Sequence, residues 1–468
     1  MAKRSDTDKA IRNIMNWAER PEWSGERSAV FQAHITPVCE RISISENELA
    51  QELEEHGYAG MLFGIMFEDF LSRRLPPNNN NIVDDYLKRR GWRESVPGRR
   101  YLQQVRDSVL SLYEVVAISP GQHCDLADLV RGEKTVRVYE RLGTKGIVKW
   151  DRIAARVLDT RGKHAFSGGI LPFSPEASQS VLRVLTKSRK QFDRVLSKAL
   201  DKDSVAKMSS QENLHDMFLR DTCTVFTSIW LIHTLEQLKA PLPELVNRDG
   251  DSLLFSETHF PIRDEKNADI AARLDAAPDW ESDGTGSDAW IWLPEPEGFS
   301  KKPRGSKSFK ASYEGQRPIS GTLELKSDVL ILHSNSMERT ERGTGVLQLL
   351  LGNLIGPALS KLQTIEQLMT DGTQQHSNRN VEPTNTIDPE IAAEIVQVTL
   401  DQHYRQSLDE PIPALGNKTP RQCARSKAGR KKVIEWLKQL ENNELRRAAD
   451  QGQEPYDSSW MWDELKLT

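Results

Sequence analysis

Catalytic signatures are the first thing this chain lacks. No G-x-x-x-x-G-K-[ST], H-E-x-x-H or G-x-S-x-G run and no kinase-type set occurs in its 468 residues, and these are the patterns whose spacing itself carries a mechanism. The well-marked enzyme classes drop out, and the balance leans away from an enzyme. Cysteine is scarce too. Cys39, Cys124, Cys223 and Cys423 are scattered with no C-x-x-C pair, which predicts unpaired thiols in a reducing cytoplasm and neither a zinc knuckle nor a disulfide framework. Long apolar runs are missing. The longest, Met61-Leu62-Phe63-Gly64-Ile65-Met66-Phe67 and Val346-Leu347-Gln348-Leu349-Leu350-Leu351, fall far short of the ~20 residues that cross a bilayer. The start, Met1-Ala2-Lys3-Arg4, enters polar helix-like sequence without an apolar h-region, so no secretory signal is expected. No cofactor or metal is expected either.

A large excess of one charge is also absent. The formal net charge is -5 and the pI about 6.1, which argues against a chain dominated by nucleic-acid binding, although averaging over several domains can hide a local basic face. What is present is a globular composition, 37% hydrophobic and 28% charged with mean hydropathy -0.58. At ~100–200 residues per domain this length predicts two to four units.

The hydrophobic period places those units. Residues 1–112 read as helical, with Ile11, Ile14 and Met15 at helical spacing and a capping box at Ser45-x-x-Glu48; Pro76-Pro77 and the Asn78-to-Asn81 tract form a solvated connector before a helix from Ile82 to about Gly91. From Tyr113 the period shortens to two through Tyr113–Val116, Val136–Tyr139 and Ile153–Leu158, with glycines at the turns, so 113–175 is expected to be a small β barrel or sheet. Residues 176–240 return to helix; His233, beside Trp230 on an apolar face, is given no role. Residues 241–370 read as α+β, with strands at Leu253–Phe255, Trp290–Trp292 and Thr322–Leu332, an exposed basic loop at 301–307 and a helix from Glu338 to about Met369. A linker at 371–387 leads to a helical module at 388–468. The expected fold class is therefore α+β and multi-domain.

Three weaker constellations are weighed. Glu324-Leu325-Lys326 in a strand has the acid-x-lysine spacing of metal-dependent nucleases, though a solvent-facing strand pair looks the same. Gly343-Thr344-Gly345 has Gln348 where a dinucleotide loop needs its third glycine, and it lies in a helical pattern, so it is set aside. Asp125 with Asp128, and His123 beside Cys124, make no complete ligand set; a turn or cap accounts for them.

The tail is the most informative stretch. Asp388-Pro389 starts a helix carrying Ile391, Ile395 and Val398 on one face; Pro413-Ala414-Leu415-Gly416 turns; Thr419-Pro420-Arg421-Gln422 is a second capping box; and Val433, Ile434, Leu437 and Leu440 mark a further helix after Gly429. This combination, over about 388–442, resembles the antitoxin Xre/MbcA/ParS C-terminal toxin-binding domain, with Asn417 where a second glycine is usual and Ser407 where tryptophan is. The resemblance implies protein binding, with an NAD-consuming RES-type toxin as one candidate partner. It points to Pro413, Leu415, Gly416, Thr419, Pro420, Val433 and Leu437 as partner-binding. Trp460 and Trp462 join them as an aromatic cluster that either docks back on the chain or anchors a partner. Elsewhere, Phe67-Glu68-Asp69-Phe70, Asn81-Ile82-Val83-Asp84-Asp85-Tyr86 and Trp150-Asp151-Arg152-Ile153-Ala154-Ala155-Arg156 look like segments of uncharacterised bacterial proteins.

The leading expectation is a bacterial cytoplasmic interaction or adaptor protein. Residues 417–432 also hold Lys418, Arg421, Arg425, Lys427, Arg430, Lys431 and Lys432 and no acid, which gives a nucleic-acid-binding alternative shared with the β unit; a solvated helix face is the competing reading. A nuclease using Glu324 and Lys326 is the third.

Overall fold

In the computed structural model the described residues are 6–75, 79–199, 214–240, 245–294, 307–308, 319–363 and 400–467, less short gaps at 133, 142, 145, 161, 248, 264–265, 283–287 and 402. They fall into two compact units, one made of Met1–Lys239 with Ile387–Thr468 and the other of Ala240–Thr386. The fold class is α+β.

The first unit begins with six helices, α1 (Asp6–Ala18), α2 (Pro21–Ile42), α3 (Glu46–Glu55), α4 (Ala59–Ser72), α5 (Ile82–Arg90) and α6 (Val96–Asp107). Ser45 and Glu48 close the capping box of α3 in both directions, satisfying two otherwise orphaned N–H groups. The asparagine tract is not all connector. Asn81 is buried, caps α5 through Val83 and Asp84, and donates its amide to the Leu71 and Arg73 carbonyls, because a helix start tucked inside the fold needs every polar group paired.

Five strands follow: β1 (Ser111–Ser119), β2 (His123–Asp128), β3 (Val136–Tyr139), β4 (Arg152–Asp159) and β5 (His164–Phe173), closed in the order β1-β2-β3-β5-β4. All pairs are antiparallel except β3 with β5, and β4 returns to β1. That order is that of a five-stranded Greek-key barrel of the OB type, and closure of β4 onto β1 leaves no sheet edge open. Its interior is filled by Val115, Cys124, Leu126, Val138, Ile153 and Phe166. Helices α7 (Pro175–Ala199), α8 (Leu214–Asp221) and α9 (Cys223–Leu238) then share a core with α2, α4 and the barrel.

The second unit carries β6 (Leu245–Val246), β7 (Phe255–Pro261), α10 (Asn267–Asp275), β8 (Trp280–Ser282), β9 (Ala289–Trp292), β10 (Lys307–Ser308), β11 (Gly321–Leu325), β12 (Val329–Ser334), α11 (Met337–Leu351) and β13 (Leu359–Gln363). Six strands form one sheet in the order β13-β7-β12-β11-β9-β8. One face packs Trp290, Trp292, Leu323 and Leu332 against Ile270 and Leu274 of α10 and Leu347 and Leu351 of α11. The helix expected to reach Met369 stops at Leu351. Gly352 turns at φ 52°, Gly356 donates to the Pro261 carbonyl, and the chain runs on as β13 beside β7, so the apolar run Val346–Leu351 ends the helix and the stretch expected to continue it is an edge strand. The strand expected at Leu253 begins at Phe255. Gly343 lies in α11 with the space for a Cβ filled by Leu332 and Trp292; it is a close-packing glycine.

The tail closes the first unit. Residues 403–407 are helical, Pro413–Leu415 form one 3-10 turn, and α12 (Pro420–Cys423), α13 (Lys427–Gln451) and α14 (Trp460–Glu464) follow. The basic loop at 301–306, the linker at 371–387 and the first helical segment at 388–399 lie outside the described residues. The described residues of 6–112, 113–175, 176–239 and 400–467, expected as separate segments, fall in one unit.

Candidate interaction site

The tail has an apolar core of its own. Tyr404, Leu408, Leu415, Cys423, Val433, Leu437, Tyr456 and Met461 pack together, with Trp436, Trp460 and Trp462 against them. Leu415, Pro420, Val433 and Leu437, expected from the resemblance to meet a partner, are buried here and build the module instead. Thr419 makes the expected capping box with Gln422. Pro413 and Gly416 are exposed, and the turn they make needs two left-handed residues in a row, Gly416 at φ 72° and Asn417 at φ 57°. Asparagine tolerates that region better than other side chains, which explains how it replaces glycine there.

Helix α13 is divided by charge. From Glu435 onward it lies against the barrel through polar groups: Arg152 pairs with Glu435, Lys438 with Glu114, Lys149 with Glu441 at 3.3 Å and Arg446 with Asp151 at 2.6 Å. Asn442 donates to the Lys149 carbonyl at 2.9 Å and to Asp151 at 2.7 Å. At the centre stands Trp150. Its indole N–H and that of Trp462 both donate to the Glu441 carboxylate, the two rings stack at 6.0 Å, and the Lys149 and Lys438 ammonium groups each lie 4.6 Å from the Trp150 ring. Trp462 therefore docks on this chain's own barrel, while Trp460 donates to the Tyr456 hydroxyl under the Arg405 guanidinium. Trp150 sits at φ 71°, a conformation that costs a bulky residue about 1–2 kcal/mol, and such strain persists only where surrounding contacts over-determine it. A cleft of about 490 Å³ opens beside this junction, between Trp150, Arg152, Phe173, Trp230, Lys438 and Asn442.

The first turns of α13 and the segment before it are cationic. Lys418, Arg425, Lys427, Arg430, Lys431 and Lys432 are exposed, whereas Arg421 is held by Asp409 at 3.1 Å and Glu464 at 2.7 Å. On the barrel, Tyr139 is exposed and stands 6.0 Å from His123, with Lys163 5.2 Å from its ring, so an aromatic pair does occupy the outer β2–β3 face. Arg137 on that face is engaged by Asp125 at 2.7 Å. Asp128 accepts from Ser111, Val130 and Arg131, a turn-holding role.

A second polar cluster is sealed inside the unit. His34 bonds Thr227 at 2.7 Å and Asp69 at 3.1 Å; Arg73 donates to Asp69 at 2.7 Å; Arg156 donates to the Ser108 carbonyl and lies 3.6 Å from Asp69; Glu68 accepts from Ser167 and the Gly169 N–H. Burial pushes the Glu68 carboxyl up, and Arg156 and the two donors only partly offset it. Burial also acts on Asp69, but the His34 hydrogen bond and the Arg73 charge outweigh it and hold the carboxyl below its ordinary range. Ligand atoms of His34, Asp69 and Cys223 lie within 4.8 Å of one another, the spacing of a metal site or a cysteine triad. Two guanidiniums already stand where a cation would go, however, with Arg156 3.8 Å from the Cys223 sulfur, and burial pushes that thiol up, keeping it protonated. All four cysteines are buried and free. His34, Asp69, Arg156 and Cys223 are fully buried, out of a substrate's reach, and the partly exposed Arg73 is tied to Asp69, so the cluster is structural.

In the second unit Glu324 and Lys326 share a strand face and pair with each other at 3.3 Å, half-exposed. The residues directly across from Glu324 are Ala289 and Ile331, neither of them an acid. Glu324, Asp288 and His333 line one shallow depression, yet among the described residues no group of three there has metal-ligand spacing. The pair has the geometry of a solvent-facing strand pair.

Residues 67–202 match a family model, described as "Family of unknown function (DUF7986)". No curated protein and no solved structure matches the chain. The matched span holds every barrel strand, Glu68, Asp69, Arg73 and Arg156 of the sealed cluster, and Trp150, Asp151 and Arg152 of the junction. Sequence reasoning misses those junction residues as a site, although Trp150-Asp151-Arg152 stands out as a segment. The available signal was a tryptophan among charged residues just ahead of a strand, and its meaning depends on a helix nearly 300 residues away, at Glu441.

Proposed function

We propose that this chain is a bacterial cytoplasmic interaction protein, an adaptor whose C-terminal helical module binds a partner while the barrel and its helices serve as the scaffold. One observation carries the reading. The module has its own apolar core and meets the barrel through a mostly ionic junction around an open cleft, which is the character of interfaces between semi-independent modules and not of a continuous core. Free buried thiols support the reducing compartment. Among the described residues no helix is long and apolar enough to cross a membrane. The likeness of the tail to the toxin-binding domain makes a RES-type toxin one candidate partner.

Affinity purification from a bacterial lysate tests this, comparing the full chain with one ending at residue 387 and identifying both proteins and nucleic acids retained. Partners lost with the tail are expected. Identical partner lists from the two chains would sink the reading.

A further inference from the structure

Among the described residues the cationic end of α13 meets no acidic partner. Arg425, Lys427, Arg430, Lys431 and Lys432 fall within eight residues, all are exposed, and no acid lies among them. Among the described residues none of the five makes an ion pair; Arg430 donates to the Lys466 carbonyl, and the nearby acids Asp409 and Glu464 are taken by Arg421. The acids further along the helix, Glu435 and Glu441, face the barrel and are engaged there. The platform under the cations is firm. Gly429 is pressed against the Cys423 carbonyl, and Val433 is fully buried one turn on. In a chain of net charge -5 this concentration opposes the overall balance, so it is complementary to a polyanion.

We infer that this face binds the phosphate backbone of a nucleic acid. The inference rests on the interaction-protein reading and names the partner's chemistry. A protein partner seated on this face would bring an apolar or aromatic centre to it. Residues 425–432 offer no large hydrophobic side chain to meet one. Phosphate contacts require only cations, and with no aromatic residue among them there is nothing to stack on bases. Binding is therefore independent of sequence and strongly dependent on salt.

The test uses the full chain and fluorescence anisotropy with two labelled duplexes of about 20 base pairs and unrelated sequence, titrated at about 50 and 200 mM salt. Both duplexes should bind alike, and affinity should fall roughly a hundredfold or more across that salt range, as expected when about four or five phosphates are neutralised. K427E/K431E/K432E should abolish binding at the lower salt, and K427R/K431R/K432R should retain it, which separates loss of charge from loss of fold. Absence of binding at low salt overturns the inference, as does binding that survives charge reversal or ignores salt. If polyglutamate binds and neither duplex does, the partner is an acidic protein; the nucleic-acid inference then fails while the adaptor reading stands.

Discussion

Glu68 and Asp69 are adjacent in sequence and both buried, yet their carboxyls move in opposite directions. The difference lies in what reaches each oxygen: Asp69 has His34 and two guanidiniums, whereas Glu68 has one distant Arg156, a serine and a backbone N–H. The signs for stability follow. Asp69, lowered in the fold, contributes stability that is complete above the ordinary aspartate value and is lost as pH falls through its lower folded value. Glu68, raised in the fold, does the reverse: its ionisation costs stability above its folded value and costs nothing below the ordinary glutamate value. Asp69→Asn should therefore destabilise by about 3–5 kcal/mol near neutrality, with the gap to the parent chain closing only below about pH 4 in urea titrations run at a series of pH values. Arg156→Ala leaves both carboxyls without their shared cation and should cost about 3–5 kcal/mol, seen as an earlier urea midpoint by circular dichroism.

Helix α13 shows how one element answers to two demands. Its start is fixed by Ser426, whose side chain accepts from the Gly429 N–H, and by the absence of a Cβ at Gly429, which would lie 1.9 Å from the Cys423 carbonyl oxygen. Gly429→Ala should force α12 and α13 apart and cost the tail upwards of about 1–3 kcal/mol, measured as a lower melting temperature of its tryptophan signal. The cations in its first turns oppose the helix dipole, which a helix kept only for stability would avoid. K427E/K431E/K432E should accordingly leave the module folded and raise its stability, chiefly through Lys427 in the first turn, by roughly 0.3–1 kcal/mol at low salt and less at high salt, while removing nucleic-acid binding. A melting temperature that falls would show that these cations hold the tail together.

For the first unit as a whole, the decisive contact joins ends of the chain that the second unit interrupts. Trp150→Gly removes the stack on Trp462, worth about 0.5–1.5 kcal/mol, and a charge-assisted hydrogen bond to Glu441, worth about 1.5–3 kcal/mol. It also returns the roughly 1–2 kcal/mol of left-handed strain. Undocking should therefore become easier by about 1–3 kcal/mol, read as faster amide exchange over 427–447 with unchanged exchange in β4. Unchanged protection of α13 would mean that the ionic pairs suffice without the tryptophan.

Local chemistry alone determined much of this protein. Capping boxes at Ser45 and Thr419, the switch of period at Tyr113, the turn at Gly416 and the cationic run from Lys418 are properties of short segments, governed by backbone sterics, side-chain hydrogen bonds and periodicity, and they were legible before any coordinate. Tertiary structure decided the rest. That Glu68 and Arg156 meet in a sealed network, that Leu415 and Val433 turn inward and that α11 yields to an edge strand depend on which surfaces pack together. So does the strained backbone of Trp150, turned to face a glutamate on the returning tail. Those outcomes are set by pairings across long stretches of chain, whose free energy has no local signature.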